Sequence, residues 1–132
     1  MAQRIKMVKF LDTFPSSDFD IRPVDKDLIR EIAEVMLEAY MDTPDYEGET
    51  LNDTIKEISM VFRGYYGDFL EDASFMGFDE DGRIASCLFV CNFKKEATLT
   101  YLFTRKDQLE KGYATELIQA AENALQEAGF DR

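Results

Sequence analysis

No histidine occurs in these 132 residues. That removes Ser-His-Asp and Cys-His nucleophilic catalysis and the common imidazole metal sites, and no metal is expected. Cysteine is nearly absent as well, with only Cys87 and Cys91. They share one strand-like run, where four residues span about 13 Å, too far for a disulfide. They fall on one face and read as core thiols of a reducing compartment, with no sign of an activating base or cation. No apolar run approaches the roughly 18 residues of a membrane span. The start, "MAQRIKMVKFLDTF", has neither a continuous apolar core nor a small-residue cleavage site. A cytoplasmic protein without a membrane partner is expected.

Basic residues are outnumbered, with 15 Lys and Arg against 27 Asp and Glu and a formal net charge of −12. Such a chain repels nucleic acid unless it concentrates a basic patch. The local basic groupings stop at Lys94–Lys95 and Arg105–Lys106 with Lys111 nearby. A cationic partner or substrate is the easier match, although an acidic surface also serves solubility.

What is abundant is aromatic and apolar, with eleven Phe and six Tyr in a chain that is 45% hydrophobic. One domain with a real core is expected, over residues 18–132, preceded by an N-terminal extension over 1–17 that adds a strand or an arm. "FDIRPV" (Phe19–Val24) alternates like a half-buried strand, with Pro23 marking an edge or an end. "DKDLIREIAEVMLEAYMDT" carries Leu28, Ile32, Val35, Met36 and Ala39 at helical spacing after a capping Asp25 or Asp27. A second helix is expected from Thr50 to about Tyr65, ended by Gly64 and Gly67. Three strands follow, Ser74–Phe78, Arg83–Phe93 and Ala97–Thr104, joined by tight turns into an antiparallel meander. A helix from Gly112 to Ala128 closes the series, with Gly129 as its C-terminal cap. The order β-α-α-β-β-β-α predicts an α/β fold, an α+β three-layer arrangement of a mixed sheet with packed helices.

"QLEKGYATEL" (Gln108–Leu117) joins the last strand to that helix. Helix starts leave backbone N–H groups without intrahelical partners and carry partial positive charge. Gly112 lets a ligand approach the backbone, and Lys111 adds charge, so the turn suits a pyrophosphate. It matches neither G-x-x-x-x-G-K-[ST] nor G-x-G-x-x-G, and many helices start near a glycine with no ligand at all.

Order and motif together resemble the GNAT superfamily of acyl-CoA-dependent N-acetyltransferases. Its motif [Gln/Arg]-x-x-Gly-x-[Gly/Ala] falls on Leu109, Glu110, Lys111, Gly112, Tyr113 and Ala114, with Thr115 and Leu117 typical beyond it. "LFT" (Leu102–Thr104) resembles the strand end that pairs with pantetheine. The resemblance covers roughly Phe19 to Arg132. It implies acetyl-CoA as co-substrate, a cradle of backbone N–H groups from Glu110 to Thr115, and main-chain contacts from Phe103 and Thr104. An N–H on this strand would polarise the thioester carbonyl, and a neutral amine would attack it directly. Leu109 replaces the usual Gln or Arg, and Lys106 stands where proline is common. The family's strand glutamate base is missing from "TLTYL", which leaves Glu96 and Tyr101 as candidate catalytic groups, beside their plainer readings as a turn charge and a packing aromatic.

The resemblance also predicts a C-terminally shortened fold, because "AGFDR" falls where a fifth strand would begin. The strand edge this exposes invites pairing into a homo-oligomer. Near the acceptor side, Asp42, Asp45, Tyr46, Glu47 and Glu49 would suit a cationic amine, small or on a protein, or simply form a solvated loop. The alternative is a non-catalytic module that binds acyl-CoA or a protein partner.

Overall fold

The computed structural model describes residues 5–6, 19–41, 43–44 and 46–129. Asp42, Asp45, most of the 1–17 extension and residues 130–132 lie outside them. Strand β1 is Ile5–Lys6 and β2 is Asp20–Pro23, followed by helices α1 (Ile29–Tyr40) and α2 (Leu51–Phe62). Then come β3 (Asp68–Phe69), β4 (Phe75–Phe78), β5 (Ile84–Phe93), β6 (Glu96–Thr104) and α3 (Tyr113–Glu127). The sheet is antiparallel in the order β1-β6-β5-β4-β2, with β3 also pairing β5. Pro23 ends an edge strand, where its missing N–H costs no ladder bond.

Local chemistry sets the element ends. Asp25 caps a 3-10 turn (Lys26–Leu28) that leads into α1. Thr50 and Asp53 form a reciprocal capping box at the start of α2. Gly64, with φ +88°, stops that helix earlier than the apolar stripe suggests. β3 and β4 pair with the same side of β5 and leave Phe89 and Val90 between them without a strand partner on that side. Ser74 fills the gap: its Oγ accepts from Val90 N–H at 2.9 Å, while Leu70 N–H donates to Val90 O at 2.9 Å. Neither β3 nor this splice is foreshadowed by hydrophobic periodicity.

The sheet divides two cores. On one face α1 and α2 cover Met76, Cys87, Phe89, Cys91, Tyr101 and Phe103; on the other, α3 packs Leu117, Ala121 and Leu125 against Leu88, Val90, Ala97 and Leu99. Phe89 centres the first, edge-on to Phe62, Phe69, Tyr101 and Phe103, with ring centroids 5.6 to 6.4 Å apart. A fully buried ring of this kind contributes about 2–3 kcal/mol from area alone. Cys87 and Cys91 are fully buried on this face, and burial pushes the Cys87 thiol well above its ordinary range. Among the described residues no helix is long and apolar enough to cross a membrane.

β6 is not a regular strand. Phe89 faces Tyr101 but Val90 faces Leu99, so Thr100 is an extra, unpaired residue. This bulge switches the strand's faces: Ala97 and Leu99 point to the α3 core, Tyr101 and Phe103 to the α1–α2 core.

Candidate functional site

The turn from β6 to α3 is held from beneath. Arg105, 4% exposed, sends Nη2 to Asp79 at 2.5 Å, Nε to Asp107 at 2.6 Å and Nη1 to Ile84 O at 2.9 Å. Asp79 in turn accepts from the N–H groups of Asp81 and Arg83 inside the β4–β5 hairpin. The Arg105 hydrogen bond holds the carboxyls of Asp79 and Asp107 below the usual carboxylate range. The hairpin and the turn are thereby locked together.

Above this clamp the backbone is unusual. Glu110 has φ +64° and Gly112, the residue before α3, has φ +93°. No side chain caps α3. Among the described residues none accepts a bond from the N–H groups of Glu110, Lys111, Gly112, Tyr113, Ala114 or Thr115. A concave run of uncapped donors at a helix start is an anion cradle. Tyr113 anchors it: its ring stacks on Phe19 at 4.9 Å and its hydroxyl donates to Phe78 O at 2.9 Å. Gly77 makes room for that ring, since a Cβ there would stand 2.7 Å from it. Tyr113 is therefore structural through its side chain and contributes to the cradle only through its backbone. Leu109 (55% exposed), Glu110, Lys111 and Thr115 are exposed, and Ala114 is half-buried.

The edge of β6 beside the cradle is open among the described residues, because β1 pairs only with Thr98 and Leu99. Arg105 N–H donates to Ala85 O at 2.7 Å. From that anchor, antiparallel alternation turns the N–H and C=O of Phe103 toward β5 and those of Leu102 and Thr104 to the open edge. Phe103 thus gives its main chain to the sheet and its ring to the core; Leu102 takes the place expected for it, beside Thr104.

The two candidate catalytic groups part company. Glu96 opens β6 at the hairpin with β5 and is exposed. Eight residues of strand, about 26 Å, separate it from Thr104, so it does not reach the turn. Tyr101 is 1% exposed, and its hydroxyl donates a short hydrogen bond to Oε2 of Glu57 on α2. The same oxygen accepts from Tyr66 at 2.6 Å. Burial first, then Glu57, pushes the Tyr101 phenol well above its ordinary range. Glu57 escapes a motif search. Its one sequence signal is that Thr54, Glu57, Ile58 and Val61 share a helical face on which the other three are buried.

A cavity of about 520 Å³ lies on the far side of the turn, between Phe19, the β4–β5 hairpin and Lys111. Asp20, Asp79, Glu80, Asp81 and Asp107 line it against Arg83, Arg105 and Lys111. That balance of five acids against three bases disfavours an anion. Among the described residues no group of Cys, Asp and Glu is arranged to hold a metal ion.

Comparison with known proteins gives the arrangement a family. Sequence comparison with curated proteins yields no significant match. Among solved structures, the chain is similar to the PaiA N-acetyltransferase from Thermoplasma acidophilum in complex with coenzyme A (TM-score 0.66, 18% identity, covering 86% of this chain and 76% of that one). It is also similar to a GNAT family acetyltransferase from Brucella melitensis in complex with acetyl-CoA (TM-score 0.64, 16% identity, 87% and 73%). An N-acetyltransferase from Staphylococcus aureus Mu50 matches with a TM-score of 0.60 and 17% identity, over 86% and 70%. At these identities the likeness shows the fold. The acetyltransferase (GNAT) family model matches residues 29–132, which include α1, α2, β3 to β6, the cradle and α3, and the chain belongs to that family.

Proposed function

We propose that the protein transfers an acetyl group from acetyl-CoA to a primary amine, with residues 18–132 acting as one acyl-CoA-binding unit. The observation that carries this reading is the run of N–H groups from Glu110 to Thr115 that no described protein group occupies, beside a strand edge that is also open among the described residues. The cradle would hold the pyrophosphate by charge-assisted hydrogen bonds. The edge groups of Leu102 and Thr104 would take the pantetheine amides as a strand takes its neighbour. Next to them the Thr100 bulge breaks the ladder, which frees a main-chain N–H to polarise the thioester carbonyl. The acidic balance of the chain, −12 overall, suits a cationic acceptor, small or on a protein.

Calorimetric titration with acetyl-CoA tests the binding step, and thiol release over a panel of amines tests transfer. Absence of both heat and a thermal shift at millimolar acetyl-CoA refutes the reading. Binding without thiol release for any amine leaves a non-catalytic acyl-CoA module.

A further inference from the structure

Glu57 is a carboxylate in an aromatic enclosure. Tyr66 and Tyr101 both donate to its Oε2, and Tyr40 lies close enough to act on the Tyr101 phenol electrostatically. No hydrogen bond from a described residue reaches Oε1, and Glu57 is only half-buried. Three elements fix the cluster: α2 carries Glu57, the segment after it carries Tyr66, and β6 carries Tyr101. Tyr101 stands next to the Thr100 bulge, and its ring enters this layer only because the bulge has switched the strand's face. One flank of Tyr101 meets Phe89 of β5, and among the described residues β1 pairs with β6 only at Thr98 and Leu99. An acyl group carried along Leu102 and Thr104, as proposed above, would come next to Tyr101, the preceding residue of β6.

From this geometry we propose that Glu57 is the acceptor-binding carboxylate, taking a primary ammonium on its open Oε1 with tyrosine rings around the cation. A carboxylate with one open oxygen, its other held by two phenol hydroxyls, selects a primary alkylammonium over an alcohol, a thiol or an anion. For transfer, which rests on the acetyl-transfer reading above, the proton balance closes. The ammonium yields one proton to Glu57 and the nitrogen lone pair forms the N–C bond. The C–S bond breaks toward sulfur, the nitrogen gives up a second proton, and one of the two protons goes to the thiolate. The products are an amide, a thiol and one net proton. Tyr66 and Tyr101 are positioning residues that hold the carboxylate.

The test uses the full chain and its Glu57→Gln and Tyr66→Phe variants, with n-butylamine as probe. Amine binding is followed by calorimetry without acetyl-CoA, and transfer by thiol release. Glu57→Gln is expected to lower kcat/KM for the amine by about 100-fold and to abolish amine binding, with acetyl-CoA affinity and melting temperature unchanged. Tyr66→Phe should lower kcat/KM by about 5-fold, mostly through KM. An amine that binds wild type but not Glu57→Gln supports the assignment even where no transfer occurs, and then only the transferase reading fails. Wild-type rates or wild-type amine binding in a folded Glu57→Gln variant overturn it. Failure of wild type to bind or acetylate any amine overturns both.

Discussion

The cradle and the Glu57 cluster both adjoin β6 and are built in opposite ways. The cradle is backbone: six consecutive N–H groups shaped by two positive-φ residues and held below by one buried arginine. The cluster is side chain: one carboxylate and its tyrosines, drawn from α2, the segment after it and β6, with 44 residues between Glu57 and Tyr101. A backbone site tolerates most side-chain changes but few changes of conformation. A side-chain site is the reverse.

The change expected to break the first half of that comparison most severely is Gly112→Val. At φ +93° a β-branched residue is strained by about 1–3 kcal/mol, and relief of that strain turns the N–H groups out of register. Space is not the obstacle, since the nearest neighbour to a Cβ there is the Phe19 ring at an ordinary 3.6 Å. Acetyl-CoA affinity should fall by at least about 100-fold in calorimetry, while Leu109→Ala and Thr115→Ala, which alter side chains only, should bind within about 3-fold of wild type. If Gly112→Val binds normally, the cradle is not where the pyrophosphate sits.

The contrast also explains what was legible. Gly112, Ala114 and the helix after them form a contiguous pattern, so "QLEKGYATEL" announces its geometry on its own. The order of β2, α1, α2, β4, β5, β6 and α3 was legible for the same reason, since each carries its own period, whereas the two-residue β3 carries none. The bulge at Thr100 was hidden because Ala97, Leu99, Tyr101 and Phe103 alternate as though they shared one face. Only the pairing with Phe89 and Val90 shows that they divide between two cores. Glu57 was hidden because its partners come from distant positions, and no local rule marks a lone glutamate on a buried helix face. Glu96 drew attention by residue type, but strand length puts it at the wrong end of β6.

The support beneath the cradle gives a smaller and pH-dependent effect. Asp79→Asn removes one anion from the Arg105 clamp and should lower the melting temperature by on the order of 5 °C at pH 7. The folded-state carboxyls of Asp79 and Asp107 lie below their unfolded values, chiefly through the Arg105 hydrogen bond. Their stabilisation is therefore fully present above the ordinary carboxylate pKa of about 4 and is lost as pH falls through the lower folded values. Wild type should lose stability on acidification below that pH, and Asp79→Asn should show a shallower slope there in thermal melts. Equal slopes would mean that the clamp carries no net charge–charge stabilisation.

The smallest effect separates the two sites most cleanly. Thr50 accepts from Asp53 N–H at 3.2 Å and Asp53 returns a bond to Thr50 N–H at 3.0 Å, fixing the start of the helix that carries Glu57. Thr50→Ala should cost about 1 kcal/mol in chemical denaturation. Fraying that first turn loosens a helix end two turns from Glu57 and touches no part of the β6–α3 turn. Acetyl-CoA affinity should therefore stay at the wild-type value, while KM for an amine rises about 2-fold, in proportion to the time α2 spends frayed. An equal loss in both would mean that the backbone site and the side-chain site share one local unfolding unit. The Tyr101–Glu57 bond, which ties α2 to β6, and the Lys106 Nζ bond to Met41 O, 2.5 Å long and reaching from the turn to the end of α1, are contacts that join the two sides.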